Sequence, residues 1–255
     1  MVPTVTSPRW KWKWALLALA LAAGAVLAAA LHERSARLEY RLLVQSPARL
    51  AADPVLVQFA VAQARPLYAQ HCASCHGDAL RGRSAVGAPD LTDRVWLYGE
   101  GSIHDIERTL LYGVRSGLSK SHNVTDMPAY GLMGRLSDAE IHNAVQYVLQ
   151  LSGNAHEAPA ATEGRALYVK AECLDCHGPD GRGDSSYGAP DLTANVWNSG
   201  GDADSLYRAI YSGQHHIMPA WIGQLTLEQI RALAVYVYSI SHPPAANPPN
   251  ANRSP

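Results

Sequence analysis

Phenylalanine is almost missing from this 255-residue chain, which has one, at position 59. Cysteine and methionine are nearly as scarce, at four each. Four cysteines are too few for a disulfide-built scaffold of this length. No charge of either sign dominates: 21 basic residues stand against 22 acidic ones, so overall charge gives no case for nucleic-acid binding. At 47% hydrophobic and 17% charged the chain is not of the disordered class. Only one long apolar run occurs, which excludes a multi-span membrane protein. Length alone allows one or two domains.

That run, Trp14 to Leu31, has 18 uncharged residues, the lower limit for crossing a bilayer core of about 30 Å. Arg9, Lys11 and Lys13 precede it, interleaved with Trp10, Trp12 and Trp14. Basic residues before a span favour a cytoplasmic N-terminus, and tryptophan suits the headgroup region. The sequence therefore predicts a cytoplasmic stretch (1–13), an uncleaved single-pass anchor (14–31) and export of everything after it. A cleaved signal peptide ending near Ala28-Ala29-Ala30 is the rival reading, and it delivers the chain to the same compartment.

Beyond a juxtamembrane linker (32–53), read as a helix or tether, and a short helix at Pro54 to Ala64 with proline at an acceptable first position, the chain repeats itself. CASCH at 72–76 and CLDCH at 173–177 are offset by 101 residues, as are GAPDLT at 87–92 and 188–193 and the Val-Trp pairs 95–96 and 196–197. MPAY at 127–130 matches MPAW at 218–221, and YVLQLS at 147–152 matches YVYSIS at 236–241. Five landmarks in one order mean two copies of one domain, read here as 54–153 and 163–242 with a linker at 154–162. The first copy carries roughly ten extra residues, mostly within Val114 to Asp126. Each copy predicts three main helices: about 64–72, 103–113 and 138–151 in the first, and 163–173, 204–212 and 227–240 in the second. Ser137 with Glu140 and Thr226 with Gln229 are capping boxes opening the closing helices. The Pro/Asn-rich tail, 243–255, predicts disorder. The fold class is all-α.

Every cysteine belongs to a CxxCH motif: Cys72, Cys75 and His76, then Cys173, Cys176 and His177. Zinc sites bring a second ligand pair about 12–20 residues later, and thioredoxin-like sites follow a strand. A disulfide would leave the adjacent histidine unexplained. CxxCH is the attachment signature of covalent haem c: two thioethers to the macrocycle, with the histidine placed to ligate iron. Two haem c groups are therefore expected. Met127 and Met218, repeated 51 and 41 residues after the two histidines, are the candidates for the second axial position. Met133, outside the repeat, competes with Met127, and His122, His215 and His216 are alternative ligands. His/Met ligation favours electron transfer over oxygen activation. Pro89 and Pro190, each 13 residues after its histidine, offer a carbonyl to the other ring nitrogen. Arg81, Arg83 and Arg182 are candidates to face haem carboxylates or plain solvated residues. Charge is uneven: 7 basic and 2 acidic residues in 1–50, 8 and 10 in 51–155, 6 and 10 in 156–255, an acidic distal end suited to a basic electron donor.

One anchored span, LAADPVLVQFA, YAQHCASCHG, GAPDLTDRVWLYG, the loop YGVRSGLSKSHNVTDMPAYG, and LDCHGPDGRG with GAPDLT and MPAW together resemble the dihaem subunit III (CcoP/FixP) of cbb(3)-type cytochrome c oxidases, from about residue 9 to 242. The resemblance implies two tandem class I cytochrome c domains on a membrane anchor. It implies a periplasmic location at the bacterial inner membrane. It also implies electron delivery from a soluble cytochrome c or a quinol–cytochrome c reductase toward a monohaem cytochrome c subunit and the catalytic haem–copper subunit. It further implies axial pairs His76 with Met127 and His177 with Met218, and no catalytic residue of the chain's own. A free-standing membrane-anchored dihaem carrier, or an enzyme with one open-coordinate haem, are the alternative functions.

Overall fold

A computed structural model describes residues 9–122 and 125–243; the outermost N-terminal residues and nearly all of the expected disordered tail lie outside the described residues. The chain forms two compact units, one ending at Gln45 and one beginning at Ser46.

The first unit is one helix, α1 (Arg9–Val44). It does not stop at Leu31, where the apolar run ends, because residues 32–44 are mostly good helix formers and carry supporting side-chain pairs, Glu33 with Arg37 and Ser35 with Glu39. At about 1.5 Å per residue its 36 residues reach roughly 54 Å, far more than the about 30 Å of a bilayer core. Trp12–Val44 has a mean hydropathy of 2.3 in its most apolar window, and among the described residues it is the one helix long and apolar enough to cross a membrane.

The second unit holds α2 (Pro47–Ala51), α3 (Pro54–His71), α4 (Ala73–His76), a 3-10 turn (Ser84–Val86), α5 (Ile103–Tyr112), α6 (Asp138–Leu151), α7 (Ala158–Lys170), α8 (Leu174–His177), α9 (Ala203–Ser212) and α10 (Leu227–Ser241). The capping boxes form as the sequence predicts at Ser137/Glu140 and Thr226/Gln229, and a third forms at Ser102/Asp105. Two segments differ from expectation. The helix expected from Pro54 does start there, with Asp53 capping it, but it runs on to His71 as one helix with the expected 64–72 segment, carrying Pro66 inside it. Most of the expected linker is helical, because Pro159 falls in the first turn of α7, where its missing N–H costs no hydrogen bond.

Packing does not follow the sequence repeats. The closing helix of the second repeat, α10, lies on α3 and α5 of the first. The closing helix of the first repeat, α6, lies on α7 and α9 of the second. Arg231 of α10 pairs with Glu107 of α5 at 2.8 Å, and the Tyr236 ring meets Tyr68 of α3 edge-on. On the other side Tyr207 of α9 donates to Asp138 of α6, and Tyr147 meets Tyr168. A core cluster running from Tyr130 through Ile141, Val145, Leu167 and Leu192 to Leu206 is built wholly from α6–α9 and their loops. One helical body thus comprises roughly residues 46–122 plus 214–242, and the other, roughly 125–213, is inserted into it. Within the inserted body the helix order is permuted, its closing helix α6 preceding α7.

The chain passes between the bodies twice, and these passages pair. Val114 bonds reciprocally with Met218, and Met127 with Gln214. Among the described residues only isolated bridges of this kind occur, with no extended strand.

Candidate haem sites

In each body a long helix runs into the attachment motif, and the short helix α4 or α8 turns the histidine back toward the following loop. His76 Nδ1 lies 3.2 Å from the Pro89 carbonyl, and His177 Nδ1 lies 3.1 Å from that of Pro190. A carbonyl cannot donate, so each ring carries its proton on Nδ1 and leaves Nε2 with a free lone pair. Burial pushes both imidazoles below their ordinary pKa, with the carbonyl bond opposing, so the neutral ligating form prevails at neutral pH. The histidine carbonyls take Gly82 N–H and Gly183 N–H, and the Tyr68 and Tyr168 hydroxyls donate to Gly77 and Gly178. The two sites therefore share one set of supporting bonds.

All four cysteines are free thiols. Burial pushes Cys72 up to about 11, with Cys75 adding to the effect, and raises Cys173 and Cys176 as well. The indole Nε1 of Trp96 is buried with no partner, a donor left for an acceptor such as a haem carboxylate. Free thiols, a poised Nε2 and this orphaned donor fit a covalently held haem. Of the arginines, Arg81 pairs with Asp90 at 3.5 Å while remaining largely exposed.

The methionines stand opposite to the sequence expectation. The Met218 segment is held by the first body: Trp221 N–H donates to Leu110, Ile222 N–H to Leu111, and the Trp221 ring meets His71, the residue before Cys72, with centroids 5.2 Å apart. The Met127 segment is held by the inserted body: Tyr130 N–H donates to Ile210, Gly131 N–H to Tyr211, and the Tyr130 hydroxyl to Ala171, 2.9 Å away and close to Cys173. The pairs implied by sequence order are His76 with Met127 and His177 with Met218, whereas the fold brings the Met218 segment to the body of His76 and the Met127 segment to that of His177. The reason is topological, since each methionine travels with its closing helix. Met133 is 63% exposed. His122 stacks on Tyr98 and faces Thr109 Oγ1 at 3.2 Å, His215 pairs with Asp126 at 2.7 Å, and His216 bonds to Ser199 and Gln214.

Two glycines make the exchange possible. A Cβ on Gly213 (φ +72°) would lie 2.4 Å from the Met127 carbonyl oxygen, and one on Gly113 (φ +72°) 2.4 Å from that of Met218. Gly213→Ala is expected to cost about 2–4 kcal/mol, combining the strain of a positive-φ, extended-ψ backbone (φ +72°, ψ −179°) that is essentially glycine-only with a backbone clash. Gly134→Ala, also at positive φ (+65°) but open, should cost only about 1–2 kcal/mol. Denaturant midpoints of the two variants measure the difference, and equal losses would remove the clash from the account.

The profile of a family described as "Cytochrome C oxidase, cbb3-type, subunit III" matches residues 59–148 and 159–237. The chain belongs to this family. The Cbb3-type cytochrome c oxidase subunit CcoP of Cereibacter sphaeroides is 35% identical over 211 residues, covering 83% of this chain and 71% of that protein. Subunit FixP of Bradyrhizobium sp. (strain ORS 278) is 39% identical over 200 residues, 78% and 67% of the two chains. CcoP of Rhodobacter capsulatus is 35% identical over 220 residues, 83% and 73%. As a subunit III, the protein is a haem c cytochrome of the respiratory chain with two haem-binding segments, matching the two attachment sites.

Proposed function

We propose that the protein relays single electrons within a cbb(3)-type oxidase, with both haem bodies on the periplasmic side of the inner membrane and α1 as the anchor. Haem c supplies the one-electron iron couple. The residues of the chain that would hold and tune it are Cys72 and Cys75 through thioethers with His76 and Met218 as iron ligands in one body, and Cys173 and Cys176 with His177 and Met127 in the other. The observation that carries this is the duplicated geometry, in which each attachment motif has an Nδ1-anchored histidine and a methionine segment packed beside it. Two such ligands close the iron to substrates, so oxygen reduction falls to the catalytic haem–copper subunit, reached through the monohaem cytochrome c subunit.

The donor is a soluble cytochrome c or the quinol–cytochrome c reductase. Charge supports entry at the inserted body: residues 125–213 hold 12 acidic and 5 basic residues, net −7, against 8 acidic and 9 basic in 46–122 plus 214–243, net +1. Such a field steers a basic donor and weakens with salt. Affinity purification of the tagged protein from native membranes tests the assignment. Co-purification of haem–copper and monohaem subunits is expected; recovery of the dihaem chain without them identifies a free-standing carrier instead.

A further inference from the structure

Arg115 stands where the chain passes from the first body to the inserted one, in the left-handed region (φ +50°) that a side chain bearing a Cβ rarely adopts. Its own side chain is only 14% exposed. Nε lies 2.8 Å from Asp126 Oδ1, Nη2 donates to the Thr125 carbonyl at 2.9 Å, and Nη1 donates to the His216 carbonyl at 3.1 Å. Thr125 and Asp126 immediately precede Met127; His216 lies two residues before Met218. One planar fork therefore grips both methionine segments, on the two opposed passages of the chain. The corresponding position in the second repeat, two residues after Gly213, is His215, and its ring reaches the same Asp126 carboxylate at 2.7 Å. No acidic residue precedes Met218, where Ile217 occupies the matching place, so Arg115 reaches the Met218 segment through a backbone carbonyl alone.

We propose that Arg115 is a positioning residue shared by the two axial methionines, fixing both sulfur ligands at once from the crossover between the haem bodies. The proposal rests on the axial assignment made above, with Met218 for His76 and Met127 for His177. A guanidinium serves here because its two Nη donors, spread across a rigid plane, reach the Thr125 and His216 carbonyls in different directions while its charge stands beside the Asp126 carboxylate; a lysine ammonium, a point charge on a flexible stem, does not span them. Strain tolerated at a non-glycine left-handed residue marks a side chain kept for what it holds.

The test uses the full-length, haem-loaded protein and reads the two upfield methionine methyl resonances of the reduced state, assigned by Met127→Ala and Met218→Ala, with the potentials of both haems. Arg115→Gly retains the left-handed backbone, which glycine favours, and removes the fork. Both methyl resonances should shift or broaden and both potentials should move, with haem content unchanged. Arg115→Lys should fail to restore at least one resonance. Asp126→Asn, which keeps the bonds to Thr125 and His216, should disturb the Met127 resonance alone. Both resonances and both potentials at their parental values in Arg115→Gly would overturn the proposal, as would a change at one haem only. If Arg115→Gly loses haem, Asp126→Asn decides: a change confined to Met127 supports the shared fork, and no change, or an equal change at Met218, overturns it. A parent protein with no such methyl resonances fails the axial assignment itself, and the proposal falls with it.

Discussion

A fragment spanning Thr125 to Gln214 is expected to fold alone and carry one haem, while the contiguous first repeat, 54–153, is expected not to fold. The inserted body encloses its own core, in which Ile141 is fully buried, Val145 is 2% exposed and Tyr168 5%. The first repeat by itself lacks α10, whose Ile230, Leu233, Val235 and Val237 are at most 5% exposed. Burying an aliphatic side chain contributes about 1.5–3 kcal/mol, so these four carry on the order of 10 kcal/mol, as much as the about 5–15 kcal/mol that typically holds a whole domain together. The fragment would also carry α6 with its apolar face uncovered. Haem retention and cooperative thermal unfolding of each fragment measure the outcome. A 54–153 fragment with a stable, methionine-ligated haem would show that the bodies are not built as described.

The second large effect concerns which histidine shares an iron with which methionine. In the oxidised protein each methionine-ligated haem contributes to a weak far-red charge-transfer band, so Met218→Ala and Met127→Ala should each remove about half of it. The double variants separate the pairings. His76→Ala with Met218→Ala strikes one haem and should leave half the band; His76→Ala with Met127→Ala strikes both and should leave none. Pairing by sequence order requires the reverse. Loss of an axial methionine should also lower the affected haem's potential by on the order of 0.1 V or more, a share of the about 0.8 V over which axial ligation sets haem potentials.

Much of this was legible in the residues. CxxCH, the repeated MPA, the capping boxes and the carbonyls of Pro89 and Pro190 each follow from local chemistry at fixed spacing, and the structure places both prolines against the expected ring nitrogen. The exchange of closing helices was not legible, and the cause lies in the repetition. YVLQLS and YVYSIS present interchangeable apolar faces, so periodicity cannot say which copy of the closing helix lies on which copy of the long helix. What distinguishes the copies are pairs without a counterpart in the other repeat, such as Arg231 with Glu107 and Tyr207 with Asp138, and these join residues 124 and 69 positions apart. Hydropathy marks where a helix leaves the lipid and not where it ends, so the sequence leaves residues 32–53 as helix or tether, and the structure shows that the helix continues to Val44.

The nesting of one body in the other sets an order in time. On the proposed periplasmic placement the chain would be extruded with Cys72 and Cys75 a hundred residues ahead of the second cysteine pair, yet their body would not close until α10 had followed. The later pair belongs to a body whose helices are all present once α9 has emerged. In that order the first haem site to appear would be the last to be sealed, its thiols staying open to haem attachment until α10 emerges, while the second site would have the shorter opportunity.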